Sequence, residues 1–395
     1  MNVVHTMWMH AESARSYLRK VTITMRLPAC VTVILLAVIG PLWGARYSVR
    51  SVYETQWPAA IEGRPALSSF LRPFDIAVDG AGNLYVLTLD TRRVVKIESG
   101  IVRVIAGGGS SQPATGLRAT EVSLTNPQGI AVSADGTLFI SDRTRCEIYR
   151  VGADGVLTVL AGDGSPGFSG DGGPAAAARL SAPTDMAVDA SGNLYVADVG
   201  NRRVRRITAA GIISTYAGNG SGTDSSSGVQ ATAAGVVPQF LAVDGAGRLY
   251  VAGTDTVRRI NAQGVIETVA GGGSTTEDNV APTQARLVNI WGLAVAGDGR
   301  IYMSIWLSLS GMSRIRTVPA GGNITTLAGG TIRGATGDGG PAAAAGLANP
   351  GQMAVGPDGE LFFIDHLTVR RIAGGQISTV AGSHSAAVAG EGGPL

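Results

Sequence analysis

The sequence predicts an all-β chain folded as a six-bladed β-propeller of four-stranded antiparallel blades. Three observations carry that prediction. One pattern is written six times, most fully from Pro183 to Gly218: a Pro, an Ile/Leu/Met-Ala-Val, a turn with Gly, a Leu/Ile-Tyr/Phe, an Arg-containing stretch and a closing Ala-Gly. The Ala-Val pairs at Ala77-Val78, Ala131-Val132, Ala187-Val188, Ala242-Val243, Ala294-Val295 and Ala354-Val355 set their valines 54, 56, 55, 52 and 60 residues apart. Such a period marks one supersecondary unit repeated along the chain. Each unit also holds four short apolar stretches, DMAVD, NLYVAD, RVRRI and IISTYAG in the third, which read as strands a to d. One four-stranded sheet leaves both apolar faces open, whereas six set radially bury each face against the next blade and expose few edges.

The repeat cores run over 73–107, 127–162, 183–218, 238–271, 290–329 and 350–382. The a-to-b connection is Asp-x-x-Gly in three units (Asp79 to Gly82, Asp189 to Gly192, Asp244 to Gly247), with Gly where a tight hairpin needs a positive φ. Because successive strands alternate in direction, a-to-b and c-to-d turns fall on one face, and b-to-c turns and d-to-a linkers on the other. The linkers are the long segments, so long loops are expected on that second face, where ligand-binding loops on a rigid scaffold belong. Several linkers pass through an Ala-rich stretch to a Leu (Leu124, Leu180, Leu347), which predicts a short helix anchored by that Leu. The glycine-rich GDGGPA at Gly170 and Gly337, and GEGGPL at Gly390, lack the Lys-Ser/Thr of a phosphate-binding loop and read as flexible linker. Unit five adds an insertion, Ile305 to Ser313, at its b-to-c turn.

At these residues the chain resembles the NHL-repeat family, whose signature is P-x-G-(I/V)-A-V-D-x-x-G-x-(I/L)-Y-V-x-D-x-x-N-x-R-(I/V). Unit three keeps Asp198, Asn201, Arg203 and Val204 but has Asp185 in place of the Gly; unit two has Asp142 with Arg145 for the Asn, and unit one has Thr88 for the Asp. The resemblance implies the six-bladed ring over residues 67–395. Six-bladed relatives include amidating lyases, gluconolactonase-like hydrolases and streptogramin lyases, so it also implies a metal-dependent lyase or hydrolase as an alternative to a non-catalytic binding or scaffold propeller.

Residues 27–45 form a charge-free run preceded by Arg15, Arg19, Lys20 and Arg26, the pattern of an export signal or signal anchor over 1–46. A linker over 47–66 follows, and the propeller is expected to be periplasmic or extracellular, with 27–45 as an inner-membrane anchor if uncleaved. Cys30 and Cys146 leave no disulfide within the propeller. Residues 1–54 hold six Lys and Arg against two acids, so the remainder is close to neutral despite a chain-wide charge of +2. That gives no basis for a nucleic-acid partner. The runs NRRVRRI at Asn201 and TVRRI at Thr256 sit within repeated strands and read as solvent-facing rows.

Candidate site residues fall into three sets. The residues just before the Ile/Leu/Met-Ala-Val are Asp75, Gly129, Asp185, Phe240, Gly292 and Gln352; of these Asp75 and Asp185 are the candidate metal ligands, for calcium with carbonyls and water. No other cofactor is expected. Asp142, Asp198 and Asp365 recur at the end of strand b, where an Asp accepts backbone N–H bonds or pairs with a strand-c Arg. Phe240, Trp291, Trp306, Leu307, Leu309 and Met312 come from units four and five, on or near the long-loop face, and are the candidate surface for a protein, peptide or glycan partner.

Overall fold

A computed structural model describes residues 3–7, 21–25, 62–69, 71–224, 227–307, 312–330, 332 and 334–383. The chain divides into two units, Met1–Ala60 with Ser385–Leu395, and Ile61–His384. In the first, Val3–Met7 pairs antiparallel with Val21–Met25. The apolar run 27–45, the stretch 47–57 and GEGGPL lie outside the described residues. Among the described residues no helix is long and apolar enough to cross a membrane.

The second unit is the six-bladed propeller. Blade one is Pro73–Val78, Leu84–Thr88, Arg93–Glu98 and Ile101–Ala106, paired in that order, and each later unit repeats the a-b-c-d meander. Six apolar clusters hold it together, one at each blade-to-blade interface. The cluster joining blade six to blade one contains Phe362, Ile364 and Val369 with Ile76, Val86 and Val95, so the ring is closed. Blade six uses its own four strands, Pro350–Val355 to Gln376–Ala381. What seals the junction is the segment before blade one. Ala66 and Leu71 are buried in that cluster, and Gly382 N–H donates to the Ala66 carbonyl at 3.0 Å. Residues 62–66 therefore belong to the propeller, although the sequence placed them in a linker.

The closing Ala-Gly of every unit has a local cause. Strand d bulges where it pairs with strand c, one residue before the Ala, in all six blades. The Gly that follows takes φ between 79° and 96°, and a Cβ on it would overlap a backbone carbonyl of the b-to-c turn or, in blade five, that of Ser313 in strand c.

The linkers depart from expectation in two ways. They begin and end on the long-loop face, but between those points they run along the outer edge of the next blade's strand d. Bridges at Pro65–Ile101, Arg118–Val156, Pro174–Ile212, Val280–Ile324 and Pro341–Gln376 mark that path. Each linker thus covers a strand edge that would otherwise present unpaired backbone groups. Nor do the GDGGPA segments behave as free linker: each leads into a three-residue 3-10 turn, Ala175–Ala177 and Ala342–Ala344, with Leu180 and Leu347 buried behind it.

Buried arginines pin these linkers, which corrects the reading of the basic runs as solvent-facing rows. Arg205 and Arg258 are interior. Arg205 meets Asp171 of the first GDGGPA at 2.7 Å and the Ser169 carbonyl at 3.0 Å. Arg370 does the same with Asp338 of the second, at 2.6 Å, and with the Thr336 and Gly346 carbonyls. Arg316 meets Asp278 at 2.8 Å. A strand is two-faced, so of the adjacent pairs Arg205–Arg206 and Arg258–Arg259 the first member turns inward and must find partners there, while the second is only half-buried.

Candidate functional site

Two places combine the candidate residues: the inner ring of strand a around the channel, and the face carrying the b-to-c turns at blade five.

Strand a is innermost, and its free backbone edge lines the channel. The Asp75 carboxylate accepts Ile76 N–H at 2.8 Å and reaches across to Ile130 N–H of blade two at 2.7 Å. Asp185 repeats this with Met186 N–H at 2.9 Å and Leu241 N–H of blade four at 2.7 Å. The two aspartates thus staple blade one to blade two and blade three to blade four. Gly129 and Gly292 occupy the same register at other junctions, where a Cβ would overlap the carbonyl oxygens of Thr184 and Gly351 on the following blade. Gln352 comes from blade six, and its amide works against the rise in the Asp185 pKa.

Burial sets the protonation of this pair. Burial pushes Asp185 up to about 7, against the opposing pull of the Leu241 and Met186 N–H groups and Gln352. Asp75 is raised well above the usual carboxylate range, first by burial and then by the charge of Asp185. A raised folded-state pKa means that the native state holds protons the unfolded chain releases, so the associated stability is present at low pH and lost as pH rises. The window runs from the ordinary carboxylate value of 3.8 to about 7, and linkage makes the loss on the order of a few kcal/mol. The melting temperature is expected to fall as pH rises from about 4 to about 7, and Asp185→Asn to flatten that slope. A melting temperature that rises with pH across this window in the wild-type chain would contradict the assignment.

As a metal centre the channel is a poor fit. Among the described residues no group of three or more His, Cys, Asp and Glu converges to hold an ion. Asp75 and Asp185 are brought into each other's field as a shared calcium site would need, but all four of their oxygens already accept a backbone N–H.

The recurrent aspartates of strand b fix the returning linkers. Asp142 accepts the N–H groups of Thr125 and Asn126, and of Thr144 and Arg145 across its own turn. Asp365 accepts those of Ala348 and Asn349 and meets Arg370 at 3.2 Å. Asp198 accepts Ser181 N–H and the Asn201 amide, with Arg205 at 3.5 Å; burial nonetheless raises its pKa.

At blade five the hairpin Ile301–Leu307 and Met312–Val318 is two residues longer per strand than the usual five, with Leu307 paired to Met312 at its end. Leu309 lies outside the described residues. Trp306 sits on this extension, and its N–H donates to the Asn289 carbonyl at 3.3 Å. Trp291 is the second residue of strand a of the same blade, Ile290–Val295. The two indoles meet edge to face, centroids 6.2 Å apart at 78°, and remain 47% and 41% exposed for Trp291 and Trp306. Phe240 separates from them: it is half-buried against the core between blades four and five.

Sequence reasoning passed over Gln352, which it aligned with Asp185 without pairing them, and the buried arginines. The arginines had a signal: each lies at one register position of strand c, in a unit whose preceding linker carries an Asp.

A family model described as the SMP-30/gluconolactonase/LRE-like region matches residues 4–219. Teneurin-1 of Mus musculus is 35% identical over 158 residues, which is 34% of this chain and 6% of teneurin-1, so the chain spans a small part of that relative's length. An auxiliary nutrient binding protein from Bacteroides ovatus superposes with a TM-score of 0.54 at 14% identity, over 80% of this chain and 72% of that one, a likeness of fold alone. Virginiamycin B lyase from Staphylococcus aureus reaches a TM-score of 0.47 at 16% identity, over 83% of this chain and 90% of that one.

Proposed function

We propose that this chain, which belongs to the SMP-30/gluconolactonase/LRE-like family, works as an extracytoplasmic recognition propeller that holds a protein, peptide or glycan partner on the face of its b-to-c turns. The observation that carries this reading is the Trp291–Trp306 pair. Two large indoles left open, Trp306 on the extended hairpin and Trp291 on the strand paired to it, are unfavourable in water unless something covers them, and Trp is the side chain that most often anchors an interface. The basic flank followed by the charge-free run 27–45 supports export, and the NHL-like repeats support a propeller whose blades present surfaces.

Family membership favours a second reading, a hydrolase or lyase acting at the channel, and taken alone it favours it over the first. Against it stands the engagement of Asp75 and Asp185 in blade-to-blade bonds, so that each of their four oxygens already accepts a backbone N–H. Both readings meet in one experiment. Peptide and glycan arrays probed with the wild-type chain, Trp291→Ala and Trp306→Ala are expected to show ligands bound at least about tenfold more weakly by the variants, about 1.4 kcal/mol. Melting temperatures should stay within about 2 °C, as for exposed sites. Retained binding by both variants, or collapse of the fold in Trp306→Ala, would sink the recognition reading. Turnover of a lactone or ester that disappears in Asp185→Asn would install the second.

A further inference from the structure

Charge is unevenly spread over the face of the b-to-c turns. On blades one to three these turns and the first residues of strand c carry Arg92, Arg93, Arg143, Arg145, Arg202 and Arg203. The same positions of blades four to six carry no Arg or Lys, and their titratable residues are Asp255 and His366. Among the described residues Arg145 is the one of the six with an acid beside it, Glu147 at 2.8 Å. Two acids of the surrounding loops are already taken, Asp90 by Arg72 at 2.7 Å and Asp163 by Arg179 at 3.0 Å, while Asp142 and Asp198 are interior. Glu121 is left as an exposed acid among five open guanidiniums. Glycines make room for these groups: a Cβ on Gly108, Gly222 or Gly220 would overlap the guanidinium of Arg93, Arg202 or Arg203. Neutral polar groups lie between the charges. The Asn126 amide is 3.2 Å from the hydroxyl of Thr144, the neighbour of Arg143, and the Asn126 oxygen accepts the Gln128 amide at 2.9 Å.

We propose that this half of the face docks a linear acidic polysaccharide, a polyuronate, whose carboxylates pair with the open guanidiniums of blades one to three. The inference rests on the recognition reading for the export of the chain and for the face, but not on the indole pair. A guanidinium is a planar fork that matches a carboxylate with two parallel hydrogen bonds. One acid per sugar gives a row of charges that can engage three neighbouring turns at once, and clustered arginines raise the local potential that draws it in. The sugar hydroxyls meet the hydroxyl and amides of Thr144, Asn126 and Gln128. Single-stranded RNA would need open aromatic platforms for its bases. The exposed aromatic ring here, Phe168, is already engaged by Arg203 at 4.0 Å and Arg205 at 4.9 Å. An acidic peptide would need apolar seats for its anchors, and on these three turns Leu89 is the exposed large apolar side chain.

The test uses the full chain with polygalacturonate, poly-uridylate, polyglutamate and neutral dextran, titrated by calorimetry at equal monomer concentration in about 50 mM and about 200 mM salt, a range over which screening changes strongly. Saturable binding of polygalacturonate with Kd below about 1 mM is expected at the lower salt, and none of dextran. The higher salt should weaken it at least about fivefold. Arg92→Gln, Arg143→Gln and Arg202→Gln should each weaken it about threefold, the size of one exposed charge pair, and the triple variant at least about tenfold. All three side chains are exposed, so melting temperatures should stay within about 2 °C. Trp306→Ala should leave polygalacturonate binding unchanged. Absence of that binding at the lower salt, or its survival in the triple variant, would overturn the proposal. Tighter binding of poly-uridylate or polyglutamate would overturn the polyuronate assignment. Binding lost in Trp306→Ala but kept in the arginine variants would put the glycan on the indole pair, overturning this site while leaving the recognition reading standing.

Discussion

Gly292→Ala is expected to destabilise the propeller by about 3 kcal/mol or more, while Gly351→Ala, on the next blade, should stay within about 1 kcal/mol. The contrast follows from what a Cβ meets. At Gly292 it would overlap the Gly351 carbonyl oxygen and lie 2.9 Å from the Gln352 Cα, both backbone atoms of the neighbouring inner strand. Neither can swing aside as a side chain can. The Gly351 carbonyl also accepts the Ser304 hydroxyl at 3.0 Å, so moving it breaks a partly buried hydrogen bond. At Gly351 the nearest atom is Ile364 Cβ at 3.7 Å, ordinary van der Waals contact. Denaturant unfolding of the two variants separates them. Equal stability would mean that blades five and six do not approach as closely at the channel as described.

This close approach explains how the inner ring is built. Two junctions are stapled by an Asp that reaches the next blade's N–H, and two others are drawn together over a Gly. The sequence showed the six residues in register, but not that the aspartates turn toward the next blade. Reading them as metal donors required knowing where their oxygens point, and that depends on how far the inner strands converge. Strand number, blade number and turn placement were legible because they follow from periodicity and from glycines that need positive φ. Ring closure was not. The segment carrying Glu62, Ala66 and Leu71 is only a fragment of a repeat, yet the Glu62 carboxylate accepts Val104 N–H at 2.7 Å as Asp338 accepts Thr379 N–H at 2.9 Å in blade six. Its likeness to the internal linkers is visible only once the linkers are known to run along strand d.

The candidate surface divided in a similar way. Trp291 and Trp306 were legible as members of a six-residue candidate surface, because large apolar side chains gathered on one face are uncommon, but not as the two that meet. Phe240 was not separable from them by sequence, since it sits in the same register as channel residues and only packing shows that it turns toward the core.

The arginine clamps carry the other large expected effect. Arg370→Met should cost about 3–5 kcal/mol, the range for breaking a buried ion pair by removing one partner. Arg371→Met, one residue along and exposed, should change stability by less than about 0.5 kcal/mol. Arg370 is 1% exposed and sits between two carboxylates, Asp365 within the blade and Asp338 on the linker. Removing the guanidinium leaves the Asp365 charge buried with only the Ala348 and Asn349 N–H groups, and leaves the Thr336 and Gly346 carbonyls without their donor. Because those losses share one group, they are not additive. Asp365→Asn combined with Arg370→Met should be less destabilising than the two changes summed, by about 1 kcal/mol or more. Blades one and two test the cause from the other side. They carry Val95 and Tyr149 at the clamp position, both fully buried, so a well-packed apolar or aromatic side chain there is compatible with the fold. What is not compatible is an acid left behind without its arginine. If Arg370→Met and Arg371→Met prove equally mild in denaturant unfolding, the linker between blades five and six is held by its apolar anchor Leu347 and not by charge.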